Sequence, residues 1–312
     1  MIWLHRYTRL LAAATLLLVA AGGMVTSTNS GLSVPDWPTT FGQQMFAYPL
    51  SGMKGGIFYE HGHRLIASTV GLLTIGLVFW LWRSEPRPWV RRLGWIALGA
   101  VVLQGMLGGL TVLLRLPDAV SISHAGLAQL FFCITVSLAL FTSPTWIAPP
   151  RPPVDDTPLR TRMTLLTVLV YLQILIGATM RHTGAGLAIP DFPLSYGHLV
   201  PPFWTSAIAL HFAHRVGALL ITVLVIGNIT RVFSRHGSRR EFTAPALLLV
   251  LAVAAQVTLG AYVVLSGKQP IINTLHVATG ATVLVTSLLL TLRLYRVRFG
   301  EADLVAVSRP ML

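Results

Sequence analysis

Residues 22–43 read GGMVTSTNSGLSVPDWPTTFGQ, and residues 177–198 read GATMRHTGAGLAIPDFPLSYGH. At an offset of 155 the two segments share Gly22/Gly177, Thr28/Thr183, Gly31/Gly186, Leu32/Leu187, Pro35/Pro190, Asp36/Asp191, Pro38/Pro193 and Gly42/Gly197. The register continues downstream. His63-Arg64 matches His214-Arg215 at offset 151, and Gln104, Gly108 and His124 match Gln256, Gly260 and His276 at offset 152. A near-constant offset across these landmarks marks an internal duplication.

Each repeated segment lies among long apolar runs, such as Leu10–Val25, Leu93–Leu114, Met163–Met180 and Ala244–Leu265. Runs of about 20 apolar residues are long enough to cross a bilayer as helices. Eight spans are predicted, over 8–26, 57–82, 91–114, 121–142, 161–180, 205–230, 242–265 and 271–293. The 312-residue chain is 54% hydrophobic, only 11% charged, and has a mean hydropathy of +0.70. Soluble domains carry about 25% charged residues, so a soluble fold is excluded. The fold class is therefore all-α integral membrane, with eight transmembrane helices forming two tandem four-helix bundles. Four crossings return the chain to its starting side, so the copies insert in the same direction, as a parallel pseudo-two-fold repeat. The expected units are 1–145, a cytoplasmic linker at 146–160, a second bundle at 161–298 and a tail at 299–312. The apolar stretch after Arg6 and Arg9 resembles a signal peptide. Its full counterpart in the fifth span argues for a retained helix.

A net charge of +13 would suit a nucleic-acid partner, but the distribution of charge does not. All but six of the 23 basic residues (Lys54, Arg64, Arg115, Arg181, Arg215 and Lys268) fall at the termini and in alternate loops. This positive-inside bias puts both termini in the cytoplasm and the loops 27–56 and 181–204 outside. A lipid bilayer is the partner implied, not a nucleic acid. The single cysteine, Cys133, reads as a small core hydrophobe, so no disulfide staples the outer loops.

Four histidines share one depth. His63 precedes Arg83 by 20 residues, His214 precedes Arg231 by 17, His276 precedes Arg293 by 17, and His124 precedes Ser143 by 19. At about 1.5 Å per residue, each lies roughly 25–30 Å from the cytoplasmic side, near the outer membrane edge. Each copy supplies one from its second helix and one from its fourth. Two imidazoles facing across a bundle at one depth can ligate a haem iron from both sides. A lone intramembrane histidine reads as an interhelical polar contact, but two matched pairs point to iron. Zinc needs three or four ligands close together. A di-iron site needs several inward glutamates, and only Glu60 sits at the membrane end of a bundle helix.

Glu60 stands one turn before His63, on the same face, and its counterpart in the second copy is His211. It reads either as an acid/base beside the first haem site or as a helix-start glutamate favoured by the helix dipole. Arg64 and Arg215 read either as partners of haem propionates or as snorkelling side chains. Gln104, Gln256, Gly108 and Gly260 read as helix-packing devices, and Asp36 and Asp191 as turn formers. His61, His182, His198 and His211 are expected at the outer surface, and His5 and His236 solvated on the cytoplasmic side.

Together, Gly31-Leu-Ser-Val-Pro-Asp-Trp-Pro, Glu60-x-x-His63-Arg64, His124-Ala-Gly, Gly186-Leu-Ala-Ile-Pro-Asp-Phe-Pro, His214-Arg215 and His276-Val-Ala-Thr-Gly resemble the haem A synthase family of bacteria and mitochondria. The resemblance covers nearly the whole chain. It implies oxidation of the C8 methyl of haem O to a formyl group, through successive hydroxylation and loss of water. It implies haem O at His63 and His124 with Glu60 catalytic, and a haem b cofactor at His214 and His276. The haem O synthase, an electron acceptor and the cell membrane of a bacterium are the partners and location it implies, with a homo-oligomer left open. Many members carry a cysteine pair in the first outer loop; this chain has none there, as in members of the mitochondrial type. The alternative is a di-haem membrane cytochrome b that only transfers electrons.

Overall fold

The computed structural model describes residues 2–149 and 151–299, so nearly all of the expected tail at 299–312 lies outside the described residues. The chain forms α1 (Ile2–Ser27), α2 (Gly56–Ser84), α3 (Pro88–Leu113), α4 (Asp118–Phe141), a four-residue α5 (Pro144–Ile147), α6 (Thr157–His182), α7 (Ser206–His236), α8 (Arg240–Leu265) and α9 (Pro270–Tyr295). Eight of these helices are long and apolar enough to cross a membrane, and this is a multi-pass membrane protein. Among the described residues there are no strands. Two isolated bridges, Thr40 with Gln43 and Ser195 with His198, occupy matched places in the two outer loops.

The helices begin where the sequence offers a start. Proline stands in the first turn of α3, α6 and α9, where a missing N–H costs nothing. Asp156, Thr205 and Gln269 accept the first free N–H groups of α6, α7 and α9 from Leu159, Ile208 and Ile272. Several helices outrun the expected spans. α7 ends at His236 rather than 230, because Arg231, Arg235 and His236 continue the helix into the polar interface, where hydropathy no longer reports it.

Within each half the helices pack in a closed ring. α1 meets α2 and α4, α3 meets α2 and α4, and α6–α9 repeat the arrangement. The halves meet through α1 against α9, α4 against α6, and α4 against α9, which is consistent with a parallel pseudo-two-fold passing between α4 and α9. Those two helices are the most enclosed. Their apolar windows are 56% and 50% buried, against 17–28% for the other six spans, so the outward faces of the six are left for lipid. Leu72, Phe79, Leu219 and Val223 are among the apolar side chains turned out this way.

Candidate functional site

The four matched histidines fall six to eight residues inside their helices: His63 in α2 from Gly56, His124 in α4 from Asp118, His214 in α7 from Ser206, and His276 in α9 from Pro270. At about 1.5 Å per residue this is roughly one depth. The helix preceding each one supplies a glycine five residues before its own end: Gly22 before Ser27, Gly108 before Leu113, Gly177 before His182 and Gly260 before Leu265. A Cβ on these glycines would lie 3.0, 3.1, 3.0 and 3.0 Å from Cε1 of His63, His124, His214 and His276, respectively. Each imidazole is thus set into a notch that no larger residue leaves open.

The rings are only partly satisfied by protein. Nδ1 of His63, His124 and His276 is buried without a hydrogen-bond partner, as is Oε1 of Gln104 and Gln256. An unmet buried polar atom costs about 1–3 kcal/mol, and its recurrence at matched positions points to a group that the protein receives. Gln104 and Gln256 are more than packing devices. The Gln104 amide donates to the His124 carbonyl at 2.9 Å and lies 3.4 Å from Nε2 of that ring, and Gln256 lies 3.4 Å from Nε2 of His276. Gln173 does the corresponding work for His214, donating to its carbonyl at 2.6 Å with Nδ1 at 3.0 Å. The sequence reading missed Gln173 because its counterpart in the first copy is Leu18.

His214 and His276 face each other with ring centroids 6.5 Å apart. Two imidazoles bound to one ion at about 2 Å per bond, each donor nitrogen about 1.1 Å from its ring centre, would have centres about 6.2 Å apart. The pair therefore has the span of a bis-histidine iron site. Among the described residues no three His, Cys, Asp or Glu side chains converge as a metal cluster, so a two-ligand haem suits this donor set and zinc does not.

At the outer end of each half the repeated loop packs against the helix that carries His63 or His214. Asp36 accepts from the backbone N–H of Phe41 and Gly42, and Asp191 from those of Tyr196 and Gly197; these are the turn formers expected. Burial works to raise the carboxyl pKa of Asp36. The Gly42 N–H, the Thr39 hydroxyl and the Phe41 N–H together overcome it and pull the value down to about 2. A depressed carboxyl favours the folded loop at any pH above its ordinary value near 3.8, and that contribution is lost as the pH falls through about 2. Asp36→Asn is accordingly expected to loosen the loop at neutral pH and to flatten its acid transition, read by Trp37 fluorescence between pH 5 and 2.

The loops are tied to the second helix of each half, and here two expectations need correction. Arg64 donates to the carbonyls of Asp36, Thr39 and Val34 and to Oε1 of Glu60, using four of its five N–H groups. Arg215 donates to the carbonyls of Leu194, Ile189 and Asp191. Both arginines clasp their own loop and do not snorkel. Glu60 is 4% exposed, so the exposed helix-start reading falls; its Oε2 accepts the Val34 N–H at 2.8 Å. In the second half, His211 Nδ1 accepts the N–H of Ile189, the counterpart of Val34, at 3.2 Å. Glu60 and His211 thus share one duty, and Glu60 adds an ion pair with Arg64 at 2.7 Å.

His211 and His61 are buried rather than at the surface, and His61 Nδ1 lies 3.1 Å from the Thr40 hydroxyl. On the opposite face, His5 bonds the Ala139 carbonyl and His236 bonds Asp156, so neither is simply solvated. His198 is exposed as expected.

A further contact distinguishes the halves. The Trp37 ring lies over Gly109, where a Cβ would sit 2.5 Å from Cδ2. The second copy has Phe192 and Ala261 at these positions. Gly109→Ala should lift the first loop at a cost of about 1–3 kcal/mol, as for other overpacked sites. Trp37→Phe in the same chain should restore the loop, as limited proteolysis of residues 28–55 will report.

Matched pairs of histidines in a duplicated eight-span bundle define a class: multi-pass membrane proteins whose two halves each carry a pair of enclosed histidines at one depth. Residues 5–289 match the model of the COX15-CtaA family, described as cytochrome oxidase assembly protein, and the chain belongs to that family. It is 35% identical over 277 residues to the heme A synthase of Symbiobacterium thermophilum, covering 85% of this chain and 86% of that one. It is also 30% identical over 266 residues to the heme A synthase of Shouchella clausii, covering 84% and 87%, and 28% identical over 287 residues to that of Halalkalibacterium halodurans, covering 88% and 92%.

Proposed function

We propose that this chain is a haem A synthase, an oxidoreductase that converts the C8 methyl of haem O into a formyl group for cytochrome oxidase assembly. The observation that carries the reading is a single asymmetry in a matched frame. Both halves present a histidine pair and a clasped loop, but only the first places a buried carboxylate, Glu60, one turn from its histidine.

In this reading the first half, 1–145, takes haem O as substrate between His63 and His124. The second half, 161–298, keeps a haem b between His214 and His276. The resident haem supplies a store for electrons in transit. The residues do the positioning. The glycine notches fix the four rings, Gln173 and Gln256 orient His214 and His276, and the clasped loops exclude water from above. The methyl carbon would give up four electrons and four protons in two hydroxylations that each take their oxygen from water, the electrons passing to an external acceptor, and the resulting geminal diol would lose one water to leave the formyl group. Oε1 and Oε2 of Glu60 are the sites that take up or relay a proton at the substrate edge, alternating with their bonds to Arg64 and Val34. Arg64 and Arg215 act on the haems through the loops they hold.

The positive-inside pattern supports an orientation in the bacterial cell membrane with both termini cytoplasmic and both haem sites near the outer face. A haem O synthase is the natural supplier of substrate, and an external electron acceptor closes the balance.

Expression in a host that makes haem O but no haem A tests the proposal directly. Haem A is expected in the extracted haems. Unchanged haem O in a haem-loaded preparation would sink the enzyme reading and leave a di-haem cytochrome b.

A further inference from the structure

Arg181 is one of the outer basic side chains that the loop clasps do not use, and it lies inside a membrane-spanning helix rather than in a loop. It lies four residues after Gly177 on α6, one turn along the face that receives His214. Arginines at a helix end in a membrane ordinarily reach outward to the interface. This one turns sideways across the seam between the halves, donating to the Gly23 carbonyl at 2.9 Å and to Ser27 Oγ at 2.8 Å on α1. Ser27 Oγ in turn accepts from Thr274 on α9 at 3.2 Å, two residues before His276. The guanidinium therefore stands where α6, α1 and α9 meet.

Its valence is unfilled. Both of its bonds come from one terminal nitrogen, and among the described residues no carboxylate pairs with it. A half-enclosed cation without an anion is costly in an apolar seam, whereas a carboxylate offers a guanidinium two parallel charge-assisted bonds. The equivalent position in the first copy is Thr26, whose hydroxyl turns back onto the Gly22 carbonyl at 3.0 Å.

We propose that Arg181 is the receptor for a carboxylate of the haem held between His214 and His276. The inference rests on the haem reading above and extends it. A charged anchor on one side only makes the second half the site that retains its haem. The first half, with a neutral threonine there, is left as the site that releases.

The test uses the full-length protein prepared in a haem-deficient host and loaded with iron protoporphyrin or with its dimethyl ester, which lacks carboxylates. Loss of each to a soluble haem scavenger is followed in the visible spectrum. The wild type is expected to keep the free acid at least about 10-fold longer than the ester, the scale of one charge-assisted bond. R181Q should erase that preference while leaving ester loss unchanged, and the midpoint potential of its acid-loaded haem should fall, since a positive charge favours the reduced form. R181K, which keeps a point charge but not the fork, should show an intermediate preference, and it decides the matter alone if R181Q does not accumulate. A wild-type acid-over-ester ratio in R181Q or, in that event, in R181K would overturn the assignment. A purely structural role predicts equal acceleration for acid and ester. Failure of the wild type to bind either compound would instead overturn the haem reading itself.

Discussion

His276→Ala is expected to strip the second-half haem from the purified protein, weakening its retention by about 100-fold or more, beyond what losing an outer partner of a ligand costs. His276 lies at the end of a chain of constraints. Gly260 leaves a notch for its ring, Gln256 stands 3.4 Å from Nε2, and His214 faces it at a centroid distance of 6.5 Å. Removing the imidazole deletes one of only two ligands, and no third His, Cys, Asp or Glu stands ready among the described residues. The helix itself should survive, because α9 is held by Leu284, Leu290 and Leu294 in the core below the site. The purified variant should therefore fold and accumulate with a depleted visible spectrum. His63→Ala should leave that second-half spectrum intact. Equal haem content and an unchanged spectrum in His276→Ala would remove this residue from the ligand set.

Much of this architecture is written in periodicity. Apolar run length and the repeat offset suffice for eight helices, because a bilayer imposes its thickness on any chain that crosses it. The common depth of four histidines follows from counting along straight helices. What sequence alone does not reveal is which outer-face groups a loop will cover. Arg64, Arg215, Glu60, His61 and His211 all sit within the first three turns of their helices, where hydropathy treats burial and exposure alike. Their partners are mostly backbone atoms of the repeated loop, such as the carbonyl of Asp36 and the N–H of Val34, and backbone atoms leave no residue signature. Gly22 and Gly177 were visible as repeat markers, yet their use as notches depends on helix rotation. A signal for the clasp did exist. His-Arg recurs with a Pro-Asp-x-Pro loop in both copies, and a paired recurrence of a cation with a carbonyl-rich turn is what a clasp requires.

The largest effect on activity is expected at Glu60, and the second half shows how to separate its two duties. Glu60→Ala removes the acceptor of the Val34 N–H and the partner of Arg64 together, so loss of haem A there could come from an opened loop. Glu60→His is the sharper change. His211 already accepts the N–H of Ile189 at the matched place, so a histidine at position 60 should keep the loop shut while deleting the carboxylate. If the carboxylate handles protons, haem A formation should drop by about 10²–10⁴-fold, the usual worth of a positioned acid/base group. The second-half haem spectrum and the proteolytic resistance of the first loop should meanwhile stay at wild-type levels. Glu60→Gln keeps an oxygen for Val34 but loses the charge that faces Arg64, and should fall with Glu60→His rather than with the wild type. Near wild-type haem A from Glu60→His would reduce Glu60 to a loop latch. The difference between the halves would then lie elsewhere, in Trp37 over Gly109 and in the threonine that stands where the second copy has Arg181.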